Sequence, residues 1–201
     1  MEDYFATIES YWPAGRDDYH WHVLPGSELL RDRICRPYAD IAHRPGLAPV
    51  RPADMHITVQ HVAPASELTT SELAQMVSLV RDYSADIAPF AVTAARAEAW
   101  EHAIVCPIRP GYLLTTLWQI TTSATRQVTG RRLQIRPAVY LPHLSLAYAT
   151  SHVAQDPIRA WLADSELSEV PIPVTELVLA AQQHNRREIT FRILDRVPLT
   201  G

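Results

Sequence analysis

Two short segments of the chain carry residues that could do chemistry together. His56-Ile57-Thr58-Val59 and His143-Leu144-Ser145-Leu146 share one pattern of histidine, apolar residue, hydroxyl residue, apolar residue. One such tetrapeptide arises readily by chance; two of them, in matching places of a repeated pattern, do not. If each lies on a β-strand, the period of two puts His56 and Thr58 on one face, and His143 and Ser145 likewise. The four apolar residues then point into a core. Two imidazoles and two hydroxyls in one small volume suit acid–base work on a phosphodiester. Imidazole titrates near neutral pH, so one ring can take a proton from water while the other gives one to the leaving oxygen. Thr58 and Ser145 would donate hydrogen bonds to the phosphate oxygens as charge grows there. We read His143 as the group that activates water and His56 as the proton donor, an order the residues leave open.

Composition narrows the alternatives. All 18 basic residues are arginine, so there is no Walker A lysine, Schiff-base lysine or lysine nucleophile. The net charge of -4 is not that of a long non-specific nucleic-acid groove. Cys35 and Cys106 lack CxxC spacing and read as buried free thiols in a reducing cytoplasm. No signal peptide or membrane span is evident, so the expected location is cytoplasmic.

The elements that must position the motifs recur along the chain. A strand at 20–24 precedes a helix capped by Ser27, with Pro37 a site for a kink. A strand at 55–62 precedes a helix opened by the Thr69/Glu72 capping box, and a third strand covers 90–97. The order then returns: strand 102–108, helix 112–129 stopped by Gly130, strand 139–148, and a short helix opened by Asp156-Pro157. Strands at 174–181 and 188–197 flank a turn at His184-Asn185, and 44–52 reads as a loop. Matching landmarks lie 82 to 87 residues apart. The expected fold is therefore α+β: one bilobal domain over 1–201, with lobe-forming repeats at about 20–97 and 102–197. Two pseudo-twofold antiparallel-rich sheets, each covered by two helices, would enclose a central cleft.

On this arrangement the chain resembles the 2H phosphoesterase superfamily. Pro-His-Leu-Ser-Leu-Ala-Tyr at 142–148 is most similar to its bacterial branch of 2'-5' RNA ligases, or RNA 2',3'-cyclic phosphodiesterases. The resemblance spans roughly residues 20–197. It implies metal-independent opening of a 2',3'-cyclic phosphate on an RNA end or small nucleotide to a 2'-phosphate, with ATP-independent 2'-5' ligation as the reverse. It implies no cofactor, and it assigns the motif roles to His56, Thr58, His143 and Ser145.

Other residues carry weaker expectations. Strand alternation puts Gln60 on the catalytic face, as a possible substrate contact, and His61 on the opposite face. It puts Tyr148 on the core face, although a contact with base or ribose would suit that residue. Two arginine groups (Arg126, Arg131, Arg132 and Arg136; Arg186 and Arg187) could steer phosphate toward the cleft. Two rival readings stand beside the phosphodiesterase. One is a binding module of the same fold that grips nucleotides or RNA ends without turnover. The other is a zinc hydrolase using His20 and His22, whose His-x-His spacing puts both imidazoles on one face, with His56 or His61.

Overall fold

The computed structural model describes residues 1–130, 132–136, 139–165 and 169–201. In chain order the elements are α1 (Tyr4–Ile8), β1 (Asp18–Val23), α2 (Glu28–Cys35), α3 (Ala39–Ala42), β2 (Leu47–Pro49), β3 (Ile57–Pro64), α4 (Thr70–Ser84), β4 (Phe90–Ala94), β5 (Glu98–Ala99), β6 (Ala103–Arg109), α5 (Gly111–Thr129), β7 (His143–Ala149), α6 (Asp156–Asp164), β8 (Val170–Val174), β9 (Glu176–His184) and β10 (Ile189–Pro198).

The boundaries follow local chemistry. Ser27 accepts a hydrogen bond from the Leu30 amide, and a 3-10 turn through Pro37 breaks the run before α3. Thr69 and Glu72 satisfy each other's backbone amides at the start of α4. Gly130 closes α5 at a φ of 63°, where a side chain would be strained. The inward face of α5 holds Leu114, Leu117, Thr121, Ala124 and Thr125, all fully buried, while Val128 is partly buried.

All sheet pairings among the described residues are antiparallel. One sheet has the order β10-β9-β1-β3; the other runs β2-β7-β6-β4-β8, with β5 also on β6. This is the α+β, two-sheet fold expected. The sheets do not follow the halves one to one, however. Strand β4 of the first half joins the second sheet, and β9 and β10 of the second half join the first. Helices α4 and α5, one from each half, pack together and cover the first sheet through β10 and β3. Helix α2 lies on β8, and α6 on β5. The main hydrophobic core runs through both lobes, with Trp21, Ile57, Met76, Ile104, Leu117 and Leu144 among its fully buried members, and a smaller cluster lies around Phe5 and Tyr148.

Several elements escaped the sequence reading. Strand β8 is Val-Pro-Ile-Pro-Val, and its prolines argue against a central strand. It lies at the sheet edge, with Pro171 and Pro173 outward and Val170, Ile172 and Val174 buried. Strand β2 lies within the segment expected to be a loop and pairs with β7 at the opposite edge. Helix α1 is only five residues long, too short for a periodic signal. Its Phe5 and Ile8 pack with Val105 and Tyr148 of the second sheet and Ile189 of the first, so it bridges the lobes. Strand β7 begins at His143 rather than at 139, because Pro142 precedes it. The strand expected over 90–97 is the shorter β4, ending at Ala94, and the two-residue β5 beyond it was not expected.

Candidate active site

The motif segments lie on β3 and β7, and their side chains converge. His56, Thr58, His143 and Ser145 all line one cavity of about 610 Å3 between the two sheets. The apolar members face the other way, and Ile57, Val59, Leu144 and Leu146 are each at most 2% exposed. Each histidine is anchored in the same manner. His56 Nδ1–H donates to the carbonyl of Asp54 at 2.7 Å, and His143 Nδ1–H donates to that of Leu141 at 2.8 Å. A carbonyl only accepts, so in both rings Nδ1 holds the proton and Nε2 is the nitrogen left for other partners.

Burial sets the protonation of the pair. It lowers His56 to about 4; the bond to Asp54 opposes that shift, and repulsion from a charged His143 adds to it. His143 is also lowered by burial, against the pull of its bond to Leu141. Both rings are thus shifted toward the neutral form, His56 strongly. Stacked faces fix the rings further. His22 lies 4.2 Å from His56, ring to ring; Phe191 meets His56 edge-on at 5.5 Å; and Trp100 lies 5.0 Å from His143.

Simple alternation fails just after each motif, at the same place in both halves. On β3, Thr58 pairs with His22 but Gln60 pairs with Trp21, so Val59 is an extra residue. On β7, Ser145 pairs with Val105 but Ala147 pairs with Ile104, so Leu146 is extra. A β-bulge of this kind turns the residues beyond it to the other face. Gln60 therefore does not reach the cleft. It is fully buried on the core side, where its Oε1 accepts from the Thr125 hydroxyl of α5. His61 and Tyr148, at equivalent positions in the two halves, both line the cleft instead. The expected faces of Gln60, His61 and Tyr148 are all corrected by this one backbone feature.

Around the motif residues the cleft is aromatic. Tyr4 stacks on Tyr148 at 4.7 Å, and Tyr11, Trp12, Trp100 and Tyr140 also contribute to the wall. Burial pushes the Tyr148 hydroxyl up to about 12, against the effect of its bond with Ser145, so it stays protonated near neutral pH. His61 donates to the buried Asp18 carboxylate at 2.7 Å, and Arg16 grips the same group through two nitrogens. Burial alone would raise the Asp18 pKa, but the bonds from His61 and Arg16 outweigh it and the net shift is downward. Apart from His61 on β3 and Tyr148 on β7, these residues lie outside the two motif strands, on α1, in the loop after it, on β1, just after β5 and in the chain before β7.

Of the expected arginine rim, Arg136 lines the cleft, with its guanidinium 4.2 Å above the Tyr11 ring. Arg132 is paired with Glu72, and Arg186 with Glu9. Arg131 lies outside the described residues. His20 Nδ1–H donates to the Asp18 carbonyl, and His22 bonds to Gln182. Among the described residues no set of three or more histidines, cysteines, aspartates or glutamates is placed to hold a metal ion. A larger, more open groove of about 1150 Å3 runs past Arg96, Glu98, Arg159 and Glu169, and among the described residues no histidine or hydroxyl side chain lines it. Both cysteines are free thiols, raised by burial to about 11 for Cys35 and about 12 for Cys106. No described helix is long and apolar enough to cross a membrane.

Comparison with solved structures finds this fold in other chains. E. coli LigT complexed with 3'-AMP superposes with a TM-score of 0.70 at 18% identity, covering 92% of this chain and 99% of that one. E. coli LigT complexed with ATP gives 0.67 at 17%, with the same coverage. TT0787 of Thermus thermophilus gives 0.67 at 17%, covering 92% and 98%. At such identities these likenesses show the fold. No curated protein sequence matches the chain. The model of the 2'-5' RNA ligase superfamily matches residues 30–186, most of the chain and both motifs, and the protein belongs to that family of 2H phosphoesterases.

Proposed function

We propose that this protein opens a 2',3'-cyclic phosphate, on an RNA end or a small nucleotide, to a 2'-phosphate by two-histidine acid–base catalysis. One observation carries the reading: two histidines, each with Nδ1 tied to a backbone carbonyl and a hydroxyl residue two places on, line one cleft. In the proposed step, water attacks phosphorus and the bond to O3' breaks. One imidazole takes the water's proton, and the other supplies a proton to O3'. Thr58 and Ser145 donate to the non-bridging oxygens, and Arg136 supplies positive charge at the cleft wall. No cofactor enters this step. With a ribose 5'-hydroxyl attacking phosphorus in place of water, and O3' leaving as before, the same step would make a 2'-5' linkage without ATP. Family membership supports phosphoester chemistry, and the LigT crystals with 3'-AMP and ATP support a nucleotide as ligand. The aromatic wall suits stacking on a base.

The test is a panel of four 2',3'-cyclic nucleotides beside 3',5'-cyclic controls, with the position of the product phosphate read out. Turnover of the 2',3' set alone, to 2'-phosphates and undiminished by EDTA, is the expected result. Binding without turnover would instead make the protein a nucleotide-gripping module, and loss of activity in EDTA would overturn the metal-independent step.

A further inference from the structure

The His-x-His pair on β1 is not used in the proposed step, yet His22 is fully buried against His56. The side chain of Gln182, on β9, bridges the Nε2 edges of the two stacked rings; it is 2% exposed and lines the cleft. Its amide nitrogen is 3.1 Å from His56 Nε2, and its Oε1 is 3.1 Å from His22 Nε2.

The direction of this chain of hydrogen bonds follows from its far end. The Asp54 carbonyl can only accept, so His56 Nδ1 carries a proton. In the neutral ring Nε2 is then a bare acceptor, and it must face the amide N–H of Gln182. The Gln182 oxygen is thereby aimed at His22 and needs a donor, so His22 Nε2 carries a proton. His22 Nδ1 is left bare, and it is the buried nitrogen that lacks a hydrogen-bond partner. One carbonyl thus sets the orientation of an amide and the tautomer of a second ring in an adjacent strand.

We propose that Gln182 and His22 are positioning residues for His56: in the empty cleft they hold its ring in the Nδ1–H form, with the Nε2 lone pair capped by the Gln182 amide. A proton added at Nε2 would meet the amide N–H head-on. Turning the amide over relieves that clash but creates another with His22 Nε2–H, unless His22 moves its own proton to Nδ1. Protonation of His56 is therefore opposed through two further residues, in addition to the cost of burial. This inference rests on the proposed role of His56, but its test does not need turnover.

The other groups facing His56 are His143 and Tyr148 from β7, Asp54 with its partner Arg51 before β3, His20 on β1, Arg187 and Glu188 in the turn before β10, and the apolar Phe191 from β10. The experiment is side-chain nitrogen NMR of the 15N-histidine-labelled full chain, without ligand, at pH 7.5. The expected spectrum shows opposite tautomers, Nδ1–H for His56 and Nε2–H for His22. An Nδ1–H or mixed His22 overturns the proposal. In Gln182→Glu a carboxylate replaces the amide, and the His56 titration midpoint should move up by about one pH unit or more. An unmoved midpoint in a folded Gln182→Glu protein also overturns it. Where the protein is active, one limb of the pH–rate profile should move upward by the same amount; a merely structural defect would scale the profile without moving a limb. If wild-type protein turns over no cyclic nucleotide, the proposed function fails while the tautomer result stands or falls by its own spectrum.

Discussion

At His56 and His143 one side-chain type is held twice in the same way, by a carbonyl two residues earlier in the chain. That local bond sets the tautomer of each ring; in His143 it leaves Nε2 for the cleft, while His56 also stacks on His22 and bonds Gln182, so replacing either ring removes a proton-transfer group, and in His56 a buried contact as well. His56→Ala and His143→Ala should each lose most turnover of a 2',3'-cyclic nucleotide, with the circular dichroism spectrum unchanged. Thr58→Val and Ser145→Ala should cost less, about ten- to a thousandfold in kcat. Both histidines are lowered by burial, His56 to about 4. The pair must lose one proton and keep the other, so kcat/KM should trace a bell whose two apparent limbs both lie below about pH 6.5. Activity should fall as pH rises through the upper limb, because the free protein then lacks a protonated ring. A profile still rising above pH 7 would contradict this assignment.

At the scale of the element, the bulges at Val59 and Leu146 do the most. Each adds one residue to a strand immediately after a hydroxyl residue, and each brings a further polar ring, His61 or Tyr148, back to the cleft. A bulge leaves no compositional mark, since Val59 and Leu146 are ordinary core residues. That is why strand periodicity placed His56, Thr58, His143 and Ser145 on the cleft face but misplaced Gln60, His61 and Tyr148. Helix ends were readable because their chemistry is local. Thr69 and Glu72 close a reciprocal pair of hydrogen bonds on exposed backbone, far from the cleft. Thr69→Ala should lower stability by about 1 kcal/mol in urea unfolding and leave turnover unchanged.

For the molecule as a whole, the packing of several histidines inside one fold links stability to pH. His20, His22, His56 and His143 all have folded pKa values below the ordinary 6.5, with burial the largest cause in each. The unfolded chain therefore binds their protons first as pH falls. Their stabilising contribution is complete above about pH 6.5 and is lost progressively below it. Each such histidine removes up to about 1.4 kcal/mol per pH unit in that window. The urea midpoint should drop steeply between pH 7.5 and pH 5, and a flat midpoint would mean the rings are not buried neutral. Asp18, lowered by His61 and Arg16, acts in the same sense only in more acid solution, as pH falls through its depressed value. The acid range that protonates the histidine pair for chemistry is thus the range in which the fold is weakest.

The division between what could be read from residue order and what needed the folded chain has a physical basis. Motif spacing, helix caps and the α+β class depend on interactions within a few residues, or on periodicity along one strand. These were legible from the amino acids alone. Exchange of β4, β9 and β10 between sheets, the bridge made by α1, and the placing of Gln182 against His22 and His56 depend on partners far apart in the chain, 160 residues in the case of His22 and Gln182. No local pattern encodes such meetings. They arise when two lobes bury one common core, and the surroundings of the paired histidines follow from that packing.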